Sequence, residues 1–229
     1  PARSIRPQVP GVDLAGVFSL GTLEDALAIS RALEEGTVRR AVVVGSGLIG
    51  LEMVEALKHR GVEVSVVELL DRPLGTLFDQ DFGALVARGL ERHGVAFFGD
   101  EGVVELMGEG GRVTAVRTQR RELPADLVLL AVGVRPSVDL AREAGLKIGP
   151  SGGIQVDEHM RTSDDRIYAG GDCVEVPHLL SGKPVRQPMG SAANRQGRVI
   201  ADHIAGLPGR YAGVGGTAIV RIFDLTAAR

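Results

Sequence analysis

The sequence has 229 residues, 44% hydrophobic and 24% charged, with a net charge of −3 at pH 7, an ordinary balance for a globular protein. It lacks the basic excess that nucleic acid or an anionic membrane would attract. No apolar run approaches the ~20 residues needed to span a bilayer, so neither partner is expected and the cytoplasm is the default compartment. A single cysteine, Cys173, rules out an intrachain disulfide or a dithiol redox pair.

The chain opens on "PARSIRPQVPG", without a methionine, and reads as a piece of a longer protein. Pro1, Pro7, Pro10 and Gly11 make residues 1–16 irregular. "GVFSL" (16–20) is a short strand candidate. Thr22 then caps a helix with Glu24 and Asp25 in its first turn, and Leu23, Ala26, Leu27, Ile29 and Leu33 mark one broad apolar face.

The segment 39–71 follows: "RRAVVVGSGLIGLEMVEALKHRGVEVSVVELLD". An apolar strand (Ala41 to Val44) ends at Gly45. Gly45, Gly47 and Gly50 have the G-x-G-x-x-G spacing, a helix runs to about Arg60, and Gly61 stops it. A second apolar strand (Val62 to Val67) ends at Glu68, 18 residues beyond Gly50. Strand, glycine turn, helix, strand and acid are the parts of a dinucleotide-binding βαβ unit. Gly45 permits the turn, Gly47 bares the backbone to a pyrophosphate, and Gly50 lets helix and strand approach. The free N–H groups and dipole of the helix start face the phosphates. Glu68 is placed to accept from an adenosine ribose and would repel a 2′-phosphate, favouring NADH over NADPH. Arg72, four residues later, weakens that preference without reversing it.

Asp79 caps a helix from Gln80 to His93, with Phe82, Leu85, Val86 and Leu90 at helical spacing. "VAFFG", "GVVELMG" and "RVTAVRT" read as strands of a meander, and "ADLVLLAVG" (125–133) as a buried strand. A short helix is expected over 138–144, and strands at "GIQVD" and "RIYAGGD". "AANRQGRVIADHIAG" has helical periodicity with Gly206 as its stop, and "GTAIVRIFDLTAAR" alternates like one strand. His59 and His93 fall at helix ends, none of the five histidines has metal-ligand spacing, and Asp164 and Asp165 read as turn formers.

"AVVVGSGLIGLEMVEAL", "VSVVE", "ADLVLLAVGVRP", "RIYAGGDCVEV" and "AANRQGRVIADHIAG", in this order, resemble the pyridine nucleotide-disulfide oxidoreductases, closest to the coenzyme A-disulfide reductase and NADH oxidase branch. The resemblance implies a Rossmann-like α/β NAD(H)-binding domain with a β-meander over 21–133, and the later half of an FAD-binding α/β domain over 134–210. It makes 1–20 a crossing segment and 211–229 the start of an interface domain. It implies an oxidoreductase passing hydride from NADH to FAD and on to a disulfide, persulfide or oxygen, with a homodimeric parent. The first FAD half and its active-site cysteine are expected to lie outside this sequence, leaving the chain catalytically incomplete. A ferredoxin or rubredoxin reductase-type flavoprotein and a non-catalytic NADH-binding module are the alternatives.

By the same resemblance, Gly45, Ser46, Gly47, Leu48, Ile49, Gly50 and Glu68 map onto NADH binding, with Ile49 and the backbone of Gly133 beside the nicotinamide. Glu52 corresponds to an acid near the flavin–nicotinamide junction, or is a solvent-facing helix carboxylate. Gly171 and Asp172 correspond to the turn and acid that meet the flavin's ribityl chain, and the helix near Ala192 points its N-terminus at the flavin ring. Cys173 follows that acid and is read as a small buried residue, not the redox thiol.

Overall fold

The computed structural model describes residues 1–229. The chain divides into two compact units, one of Ser4–Gly133 with Ala218–Arg229, the other of Pro1–Arg3 with Val134–Thr217. Its first element, β1 (Ala2–Ser4), lies in the stretch that the prolines marked as irregular; three residues are too few to show a period.

The unit built on Ser4–Gly133 holds a five-stranded parallel sheet. Chain order gives β2 (Val17–Ser19), α1 (Leu23–Glu34), β3 (Arg40–Val44), α2 (Leu48–His59), β4 (Glu63–Val67), α3 (Gln80–Arg92) and β5 (Ala96–Phe98). Next come β6 (Val103–Glu109), β7 (Arg112–Thr118), β8 (Glu122–Pro124) and β9 (Leu127–Leu130). The sheet order is β2-β9-β3-β4-β5, every pair parallel. The β3-α2-β4 crossover thus starts from the central strand of the sheet. The strands are continuous apolar runs because both faces are covered: one core holds Val43, Leu51, Val54, Val66 and Leu129, the other Val42, Val67, Val116 and Val128. The meander is β6-β7-β8. "VAFFG" is not part of it: β5 pairs in parallel with β4, from Ser65–Ala96 to Val67–Phe98.

Two helix faces differ from the pattern in the sequence. α1 starts at the expected Thr22 cap, and Asp25 completes a capping box with it, yet Leu23 is 70% and Leu27 47% exposed and only Ile29 is buried. In α3, Asp79 caps as expected and Val86 and Leu90 are buried, but Leu85 faces outward.

The other unit contains β10 (Val134–Pro136), α4 (Asp139–Glu143), β11 (Ile154–Gln155), β12 (Val174–Pro177), β13 (Pro184–Val185) and α5 (Gly190–Ile204). β10 pairs with β1, and β11-β12-β13 form a small mixed sheet. Met160, Cys173, Val174, Val176 and Val199 fill the core. "RIYAGGD" is not a strand: Tyr168 makes one isolated bridge to Arg161, and the strand begins only at Val174, beyond the two glycines.

The tail closes on itself. β14 (Ile219–Ile222) and β15 (Leu225–Ala228) form an antiparallel hairpin where a single strand was expected. It belongs to the unit with the parallel sheet, burying Val220, Ile222 and Ala227 in the core of α2 and α3. Phe223, in the left-handed region at the turn (φ 54°), donates its N–H to Glu55 of α2 at 2.7 Å and stacks on His93 at 4.0 Å.

Candidate functional site

The glycine turn lies between β3 and α2, at the carboxyl edge of the parallel sheet. Gly45 adopts φ 100°, where an L side chain is strained, and a Cβ there would stand 2.5 Å from the Ala131 carbonyl oxygen at the end of β9. A Cβ on Gly50 would collide with the carbonyl of Gly45. Gly47 differs: it is the N-cap of α2 with φ −74°, and a Cβ there meets nothing within 4 Å. The first two glycines in this account are demanded by the chain's own packing, whereas Gly47 borders open space. No side chain caps α2 and no acid sits in its first turn, so its orphan N–H groups and positive dipole end face that space. Leu48 packs partly on the core, while Ile49 is 41% exposed beside the turn.

Glu68 sits one residue beyond β4. Its Oε2 accepts from both the N–H and the Oγ–H of Ser46, each at 2.7 Å, and its Oε1 accepts from the N–H of Leu70 at 3.0 Å. Ser46 is fully buried. Arg72 turns away to pair with Asp71 at 2.6 Å, its stem lying where a Cβ on Gly83 of α3 would go. Glu52 is exposed on α2. Gly133 is exposed at φ 97°, its carbonyl accepting from Ile5 N–H at 3.0 Å.

A buried polar group lies behind Glu68 that the sequence pattern did not reveal. Glu101, 1% exposed, pairs with Arg121 at 2.7 Å and accepts from Thr118 Oγ at 2.7 Å, while the Arg121 guanidinium stands 4.2 Å over the Phe98 ring. The backbone beside it is laced to Glu68: Glu68 N–H donates to Phe98 O at 2.9 Å and Glu101 N–H to Glu68 O at 3.0 Å.

The second motif is built within the other unit. Gly171 has φ 87° and donates its N–H to Oε1 of Gln196 at 2.7 Å. Gln196, 2% exposed on α5, thereby fixes the turn carrying the half-buried Asp172. Helical periodicity marks position 196 as inward-facing, but nothing local in the sequence pairs it with Gly171. Cys173 is buried, with its thiol 3.5 Å from the Gly170 carbonyl. α5 begins at Gly190, two residues before the expected Ala192, with no side-chain cap.

Residues 1–196 match the family described as pyridine nucleotide-disulphide oxidoreductase. The chain belongs to that family. It is 40% identical over 219 residues to an NADH oxidase of Methanocaldococcus jannaschii, covering 96% of this chain and 48% of that protein. It is 38% identical over 219 residues to a CoA-dependent NAD(P)H sulfur oxidoreductase of Pyrococcus furiosus, covering 96% and 49%. The structure matches that of an NAD-dependent persulfide reductase from A. fulgidus with a TM-score of 0.96 and 43% identity, over 99% of this chain and 42% of the other. The chain thus spans about half the length of the relatives it matches. No helix is long and apolar enough to cross a membrane.

Proposed function

We propose that this chain is the NAD(H)-binding portion of an FAD-dependent oxidoreductase that takes hydride from NADH and passes two electrons to a disulfide, a persulfide or oxygen. The observation that carries the reading is the uncapped start of α2 opening on Gly47, with a carboxylate at the end of the adjacent strand. Residues 21–133 are read as the NAD(H) domain, 134–210 as the later half of the FAD domain, 1–20 as the crossing segment and 211–229 as the start of an interface domain. The whole protein is read as a cytoplasmic homodimer.

In this reading the N–H groups of Gly47, Leu48 and Ile49 bind the pyrophosphate, where aligned backbone dipoles favour negative charge. Glu68 keeps lone-pair capacity beyond its three internal hydrogen bonds, enough to accept from a ribose hydroxyl. A 2′-phosphate there would meet like charge. The Ile49 side chain and the Gly133 backbone are read as flanking the nicotinamide. In the other unit the residues fit a flavin's polar tail: Gly171 is fixed by Gln196, Asp172 accepts from the ribityl hydroxyls, and the uncapped N-terminus of α5 favours negative charge on the ring. Bound FAD supplies the two-electron chemistry that side chains lack. The acceptor's own contacts, including a redox cysteine, are assigned to segments outside residues 1–229.

Calorimetric titration with NADH and NADPH, alongside a visible absorption spectrum of the purified chain, tests this. NADH binding, weaker NADPH binding and no flavin band are expected. Failure to bind either nucleotide would sink the reading.

A further inference from the structure

Glu68 is hydrogen-bonded to its own chain through both carboxylate oxygens. Of the roughly four lone-pair positions on a carboxylate, three are filled by Ser46 N–H, Ser46 Oγ–H and Leu70 N–H. The two bonds from Ser46 converge on one oxygen and reach across from the glycine turn to the neighbouring strand. Ser46 is completely buried, so its hydroxyl has no water to exchange for this bond. Leu74 N–H donates back to the Ser46 carbonyl at 3.0 Å, fastening the following loop to the same residue.

Resting on the NADH reading above, we propose that Ser46 is a positioning residue for nucleotide selection, and that Glu68 is a clasp for the glycine turn as well as a ribose ligand. Ser46 holds the carboxylate in one rotamer with a single free direction, the one a ribose hydroxyl must meet. The same two bonds hold the turn in its phosphate-binding shape. Glu101 backs the arrangement: paired with Arg121 and Thr118 in the interior, it anchors the backbone that brackets Glu68.

This differs from selection by charge alone. If Glu68 acted only by repelling a 2′-phosphate, removing its charge would raise NADPH affinity toward the wild-type NADH value. As a clasp, its loss loosens the turn that either nucleotide needs.

The test is calorimetric titration of wild type, Ser46→Ala and Glu68→Gln with NADH and with NADPH, the fold being checked by circular dichroism and melting. Ser46→Ala keeps the carboxylate charge but removes one charge-assisted hydrogen bond, so NADH should weaken about tenfold and NADPH by less, because a loosened turn costs both nucleotides while a freed carboxylate costs NADH alone, narrowing the preference. Glu68→Gln, equal in size, covers the case in which Ser46→Ala does not fold. Its amide nitrogen cannot accept, so NADH should weaken to a similar degree while NADPH gains no more than about threefold. The proposal is overturned if Ser46→Ala weakens both nucleotides equally, if it weakens neither, or if Glu68→Gln binds NADPH as tightly as wild type binds NADH. Wild type binding no NADH would overturn the functional reading and this inference together, a result distinct from the other three.

Discussion

The glycines at 47 and 50 separate packing from binding at single-residue resolution. At Gly50 a methyl group would run into the Gly45 carbonyl, so Gly50→Ala must displace strand or helix. Overpacking of this kind costs about 1–3 kcal/mol, to be read as a lowered urea midpoint. At Gly47 the methyl has free space and a permitted φ of −74°. Gly47→Ala should therefore leave the midpoint unchanged or slightly raised, yet weaken NADH in titration if the methyl occupies the approach proposed for the pyrophosphate. A third residue makes a pH prediction. Burial pushes the Asp157 carboxyl up, but hydrogen bonds from the Arg161 backbone and side chain and the His159 backbone outweigh it and hold it below the usual carboxylate range. A carboxylate with a depressed native pKa contributes stability that is present above its unfolded value and disappears as pH falls through the native one. Asp157→Asn should lower the melting temperature at pH 7, and the gap from wild type should begin to narrow near pH 3.8 and close as pH falls through the lower native value, measured by melting across pH. Asp157 is substantially exposed, which limits the size of the effect.

Among the elements, the β14–β15 hairpin and its seat on α2 invite a direct measurement. Ile222 is buried with Leu51, Val54 and Leu90 in one core, so Ile222→Ala should cost about 2–5 kcal/mol. Hydrogen exchange should show the loss in α2 and α3 and not only in the tail. The hairpin was hidden in the sequence because its turn, "FD", contains no glycine: Phe223 takes the left-handed conformation there. Elements with a long period were legible, including β3, α2, β4 and α3 with its Asp79 cap. Among the shortest strands, β2, β5 and β11 fall where "GVFSL", "VAFFG" and "GIQVD" placed them, whereas β1, β10 and β13 are too short to alternate. The outward Leu23 and Leu27 of α1 show the converse limit: an apolar face in sequence does not guarantee a partner in space. In the candidate site, the glycines and Glu68 follow from spacing, which local chain geometry dictates. Gln196 and the Glu101–Arg121 pair do not, because their partners come from residues 25 and 20 positions away and only the folded chain brings them together.

On the scale of the whole molecule, the two units give ligand binding an address. NADH at 100 times its Kd should stabilise the unit that holds the glycine turn by about 2.7 kcal/mol. Hydrogen exchange followed by mass spectrometry should show new protection over residues 45–70 and none over 138–204. Protection confined to 138–204 would contradict the placement of the nucleotide on α2. The interleaving of the units has a consequence for biosynthesis. The sheet-bearing unit needs residues 218–229 to complete its core, and those residues are translated only after all 84 of Val134–Thr217. At ~5–20 residues per second, the ribosome holds that unit for several seconds with Val54, Leu57 and Leu90 lacking their last neighbours. Nascent chains stalled just before Ala218 should therefore be cut by protease within α2 and α3, and chains stalled far enough beyond Arg229 to bring the hairpin out of the ribosome should resist.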